Sequence, residues 1–90
     1  MAKIIFSNGN TKELTPTNGK YFSLKELKDV VGGWIEVIRL QNEYMVLNEE
    51  GKLCGLPLNI TATNIVKNNS NYFNDYIVGN VIICSLDELN

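Results

Sequence analysis

The chain contains no histidine, so the side chain most often used for proton transfer near neutral pH is missing. The remaining candidates for chemistry are carboxylates, thiols and amines. Glu36 falls within an apolar run, Glu49 and Glu50 adjoin each other in "NEEGK", and Asp75 precedes the last apolar run. Two carboxylates can act as acid and base on a glycosidic bond, but neighbouring side chains in a turn diverge. Cys54, in "KLCGLP", has only Lys52 nearby in sequence to depress its thiol pKa. Burial as small apolar residues is the plainer expectation for Cys54 and Cys84. Neither belongs to a C-x-x-C pair, and no zinc-ligand pattern exists without histidine. No catalytic residue, metal site or cofactor is expected, and the chain reads as a non-enzymatic binding protein.

Groups suited to binding lie in three segments. In "VGGW", Gly32 and Gly33 leave backbone amides open to a phosphate, and Trp34 could stack on a base. They form neither a G-x-G-x-x-G nor a P-loop pattern, and a helix stop followed by a strand start accounts for them equally well. In "NEEGK", Asn48, Glu49 and Lys52 follow an apolar run whose end can project side chains into a pocket. The same composition also makes a tight turn. In "LPLNITATN", Asn59, Thr63 and Asn64, with Ala62 among them, gather amides and hydroxyls about a helix start. Such groups suit neutral recognition of a base or ribose, or serve as caps.

Composition narrows the partners. Eight basic and ten acidic residues give a formal charge of −2, and the basic residues are scattered, so direct nucleic-acid binding is not expected. No run approaches the roughly 20 apolar residues of a membrane span. The N-terminal segment lacks the apolar core and cleavage site of a signal peptide, which leads to an expectation of cytoplasmic residence. Ninety residues predict one domain, 1–90, with a small core. A homo-oligomer is expected, since a subunit interface would add buried apolar area.

The elements that must position these groups follow from periodicity. "AKIIFSNG" reads as a first strand ending at the turn pair Asn8-Gly9, with a short extended piece over Glu13 to Thr15. "YFSLKELKDVVGG" predicts a helix: Ser23 and Glu26 form a capping box, Phe22 and Leu27 a hydrophobic staple. Leu24, Leu27, Val30 and Val31 make its apolar stripe, and Gly32 or Gly33 its stop. "WIEVIRL" and "EYMVLN" predict an antiparallel hairpin, apolar on both faces and therefore central in a sheet or covered by a partner. Leu53-Cys54 is expected to add a short strand, and Leu58, Thr61, Ala62 and Ile65 or Val66 a short second helix. Asn68 to Asn74 reads as a solvated loop, "DYIVGNVIICSL" as a last strand kinked or bulged at Gly79, and "DELN" as an exposed end. The fold class predicted is α+β: a small antiparallel β-sheet with one well-defined helix and a second short one.

Four segments occur in a fixed order: "VGGWIE" (31–36), "NEEGK" (48–52), "LPLN" (56–59) with Ala62-Thr63, and "DYIVG" (75–79). Together they resemble a small family of uncharacterised function carried by bacteriophages, plasmids and other mobile elements, notably of gut bacteria and Firmicutes. The resemblance implies an accessory protein that counters host defence. One such strategy is to sequester a nucleotide second messenger, for instance a cyclic nucleotide, in a pocket without catalysis. The site would then comprise Gly32, Gly33, Trp34, Asn48, Glu49, Lys52, Asn59, Ala62 and Thr63. The rival reading is an interaction module that inhibits a host protein through the exposed hairpin face. Convergence of the three candidate segments on one pocket would favour the first reading, and their separation the second.

Overall fold

The computed structural model describes residues 2–69 and 74–89. Its elements are β1 (Ala2–Ile5), β2 (Thr11–Leu14), α1 (Leu24–Val31), β3 (Ile35–Arg39), β4 (Glu43–Asn48), α2 (Ile60–Asn69) and β5 (Val81–Ser85). The strands form one antiparallel sheet in the order β2-β1-β5-β4-β3. This is the α+β architecture expected from the sequence.

Alternation along the strands explains why they read as continuous apolar runs. Ile4, Val46, Ile82 and Cys84 pack with Leu27 and Val31 of α1. Their chain neighbours Ile5, Met45, Leu47, Val81 and Ile83 pack with Ala62 and Val66 of α2. One helix therefore covers each face, and strands buried on both sides cannot show a polar–apolar alternation. β4 is internal, as both apolar faces require, whereas β3 lies at the sheet's edge.

The capping box is present in full. The Glu26 amide donates to Ser23 Oγ (3.1 Å), and the Ser23 amide donates to Glu26 Oε1 (3.0 Å). Glu26 Oε2 also accepts from the Thr17 amide and hydroxyl, which ties the preceding loop to the helix start. Phe22 and Leu27 are both buried. Gly32, at φ 84°, supplies the left-handed stop, and its amide donates to the Lys28 carbonyl. Leu24 departs from the expected stripe: at the first helical position it remains 48% exposed.

Backbone hydrogen bonds from Ser23 and Thr17 hold the Glu26 carboxyl down to about 2, against an ordinary 4.5. A carboxyl depressed on folding stabilises the fold above its unfolded pKa, and that stabilisation disappears as pH falls through the folded value. The thermal midpoint of the wild type should therefore exceed that of Glu26→Gln at neutral pH. The gap should close between pH 4.5 and about 2, because glutamine keeps the capping geometry without the charge. An unchanged gap at the acid end would contradict this.

Several local expectations are corrected. Leu53 and Cys54 belong to successive turns, not a strand: the Cys54 amide donates to the Glu50 carbonyl, and the Leu56 amide to that of Gly51. Those bonds curl the segment outward, so Cys54 is exposed; Cys84, in β5, is buried. Burial pushes the Cys84 thiol up to about 11. The second helix, expected to be short, runs ten residues, and its last turn takes in Asn68 and Asn69, which had read as loop. Residues 70–73 of that loop lie outside the described residues. The end of the chain is not simply exposed: the Glu88 carbonyl accepts from the Phe22 amide at 2.8 Å, Leu89 bridges Phe22, and Glu88 is buried. The extended piece near Glu13 is β2, folded back on β1. Among the described residues, no helix is long and apolar enough to cross a membrane.

Candidate functional site

β4 ends at Asn48, whose buried side chain fixes the path of the chain beyond it. Asn48 Nδ2 donates to the Val31 carbonyl at the end of α1 (3.1 Å), and Oδ1 accepts from the Glu50 amide (2.8 Å). The second bond closes an Asx-type turn over "NEEGK". Gly33 abuts the same amide: a Cβ there would lie 3.1 Å from Asn48 Nδ2. Gly51 packs against the segment leading into β5, where a Cβ would meet Val78 Cγ2 at 2.8 Å. The turn and the segment Asp75 to Val78 are thereby held side by side. Lys52 joins them, pairing with the Asp75 carboxylate and placing its Nζ 4.3 Å from the centre of the Tyr76 ring. The Lys52 hydrogen bond, with the Tyr76 amide, keeps the Asp75 carboxyl below the usual range.

Between these segments and the adjoining end of the sheet runs an open groove of about 160 Å³. Its apolar lining comes from Ile38, Leu47, Ile77 and Val78. Glu36, Glu49, Glu50 and Asp75 line it as well, with Lys52 as the one cation among the lining residues. Lys52 is already engaged by Asp75, and no other described residue forms an ion pair with Glu36, Glu49 or Glu50. Leu53 at 85% exposure and Tyr76 at 49% add apolar surface beside the acids. The volume is below the roughly 300–1,000 Å³ usual for small-molecule sites, and the charge repels a phosphate.

The candidate residues divide. Asn48, Glu49 and Lys52 line the groove. Gly32, Gly33 and Trp34 do not: Gly32 ends α1, Gly33 supports Asn48, and Trp34 is 58% exposed with Lys28 Nζ 3.6 Å from its ring centre. Asn59, Ala62 and Thr63 are buried away from it. Asn59 Nδ2 donates to the carbonyls of Ile5 (3.0 Å) and Gly79 (2.9 Å), while Oδ1 accepts from the Ala62 amide (3.0 Å) as the cap of α2. Thr63 Oγ1 donates to the Asn59 carbonyl and accepts from the Ile77 amide. Every polar atom of these two side chains is therefore engaged inside the fold.

Sequence reasoning weighed Glu36, Glu50 and Asp75 only as acid–base groups and left them, with Tyr76, out of the binding site. Strand alternation carried part of the signal, since it puts Glu36 on one face with Ile38, and the "DYIVG" segment had been singled out as a motif. What no local pattern shows is that Lys52 and Asp75 meet.

Among the described residues, β3 leaves one side of its backbone open. The Leu40 amide donates to the Glu43 carbonyl and the Glu49 amide to the Trp34 carbonyl, so the even-numbered residues 34 to 40 face β4 in its hydrogen-bonded pairs. By the same alternation, the N–H and C=O groups of Ile35, Val37 and Arg39 point away from the sheet. The family model for "Domain of unknown function (DUF3846)" matches residues 3–90. The chain belongs to the DUF3846 family. Neither a curated protein nor a solved structure matches it. In this DUF3846 chain the four segments noted in the sequence play different parts, and "VGGWIE" is split between them, since its Glu36 lines the groove while its glycines do not. "NEEGK" and "DYIVG" meet at the groove; "VGGW" and "LPLNITAT" brace it from outside through Asn48 and through the Asn59–Gly79 contact.

Proposed function

We propose that this DUF3846 chain is a non-enzymatic accessory protein of a phage or mobile element that binds a protein of the host cell through its acidic groove. The observation that carries this reading is the charge of the groove: three glutamates with no ion-pair partner among the described residues, and one lysine already held by Asp75. A nucleotide brings negative charge to a site that offers it no free cation among the described residues, whereas a basic protein segment meets complementary charge over an apolar floor. The mobile-element setting rests on the family resemblance. Sequestration of a cyclic nucleotide draws support only from Lys52 above Tyr76, and its other expected contacts, at Gly32–Trp34 and Asn59–Thr63, lie elsewhere.

The test is affinity capture from host lysate, comparing the wild type with a Glu36→Lys/Glu50→Lys variant. Both positions are exposed, so the variant should keep its circular dichroism spectrum and thermal midpoint. A stoichiometric protein should be recovered with the wild type, resist nuclease, and fall by at least about tenfold with the variant, as expected when like charges face each other across an interface. Equal recovery with both proteins would refute the assignment of the groove.

A further inference from the structure

We propose that β3 receives an extended basic segment of the partner as a sixth strand, with its basic side chains directed to the groove. This rests on the reading of the groove as a protein-binding site and adds how the partner is held. Two independent features share this edge of the sheet. The first is backbone: Ile35, Val37 and Arg39 present outward N–H and C=O groups, and β3 contains neither proline nor glycine. The opposite edge, β2, is only four residues long and carries Lys12 and Glu13 at its middle, the sort of short, charged edge that discourages pairing. β3 is less guarded, with Val37 at 42% exposure and Trp34 at its start.

The second feature is charge, and it selects the occupant. Glu36 and Ile38 share the groove side of β3, while Ile35 and Val37 share the other. A strand added to β3 alternates in the same way. Its side chains on the groove side approach Glu36, and those on the other side cover Val37. The complementary sequence thus alternates basic and apolar residues, with the apolar ones over Val37. A second copy of this chain fits poorly. Paired about Val37, two β3 strands would set Glu36 diagonal to its own counterpart and offer no basic residue on the groove side.

The experiment uses the full chain and a labelled synthetic peptide of alternating lysine and valine, with two comparison peptides. One replaces lysine by glutamate; the other keeps the sequence but carries N-methyl groups on alternate amides, which removes the ladder donors and leaves the charge. Fluorescence anisotropy reads affinity, and amide hydrogen exchange reads β3. The lysine–valine peptide should bind more weakly as salt rises and slow exchange at Ile35, Val37 and Arg39. The glutamate peptide should not bind, and N-methylation should weaken binding by about tenfold or more through the lost ladder bonds. Val37→Pro should weaken it comparably, since the Val37 amide bonds nothing within the sheet and an edge strand tolerates proline there. If that variant unfolds, the N-methylated peptide decides alone. Equal binding of the N-methylated peptide would overturn strand addition while leaving the groove reading intact. Failure of the lysine–valine peptide to bind would overturn the proposal, as would protection of the Val37 amide by self-association without peptide.

Discussion

Asn59→Ala is expected to destabilise the fold by about 2–4 kcal/mol, the sum of a lost helix cap and the lost side-chain bonds to two buried carbonyls. Asn59 is fully buried, and its side chain joins three parts of the chain: the end of β1, the backbone at Gly79, and the first turn of α2. For a chain this size, such a loss lowers the thermal midpoint by about 10 °C or more. Asn59→Asp separates the cap from the rest. Aspartate caps a helix about as well as asparagine, so a residue that merely capped α2 would tolerate it. Here the exchange turns the Nδ2 donor into an oxygen facing the carbonyls of Ile5 and Gly79, and it should cost at least as much as alanine. Thermal melts of the three proteins settle this. If alanine left stability unchanged and abolished binding instead, Asn59 would be a ligand residue after all.

Gly79→Ala should be the second severe substitution, at about 2–3 kcal/mol, because a left-handed backbone and a steric contact act together. Gly79 has φ +76°, and a Cβ there would come within 2.8 Å of Leu56 Cδ1. Its amide donates to the Pro57 carbonyl and its own carbonyl accepts from Asn59, so the backbone is not free to relax. Gly9→Ala serves as the comparison. Gly9 has φ +94° with nothing within 4 Å of the added carbon, so it bears the conformational cost of about 1–2 kcal/mol alone. Chemical denaturation should rank Gly79→Ala clearly below Gly9→Ala in stability; equal losses would show that the Leu56 contact relaxes freely.

Much of this fold was legible because local chemistry decides it. The Ser23–Glu26 capping box, the Phe22–Leu27 packing and the stop at Gly32 each need only a few neighbouring residues, and all three stand as the sequence implies. The β3–β4 hairpin was readable from its two-residue connection. Strand order was not, because β5 joins β1 to β4 through residues far apart in the chain. Leu53-Cys54 misled because its apolar content suggested a strand, whereas the turn bonds around Gly51 and Gly55 dominate.

The candidate site was legible only in part, and for a related reason. Asn, Thr and Gly serve equally well as ligand groups or as caps and turn formers, and their types alone do not say which. At Asn59 and Thr63 every polar atom is satisfied by backbone, so those residues hold the fold together. At "NEEGK" the outcome is mixed: Asn48 shapes the turn while Glu49 and Lys52 reach the groove. The acidic character of that groove arises from Glu36 and Asp75 arriving from separate segments. Only folding brings them beside Glu49 and Glu50.

On the proposed function, this groove takes a basic protein segment in preference to a nucleotide. Native mass spectrometry of the wild-type chain recovered from host lysate, without nuclease and at low salt, tests it most directly because one spectrum registers either adduct. An added mass of protein size is expected, one that disappears at high salt and in the Glu36→Lys/Glu50→Lys variant. A stoichiometric added mass of nucleotide size, retained by that variant, would contradict it.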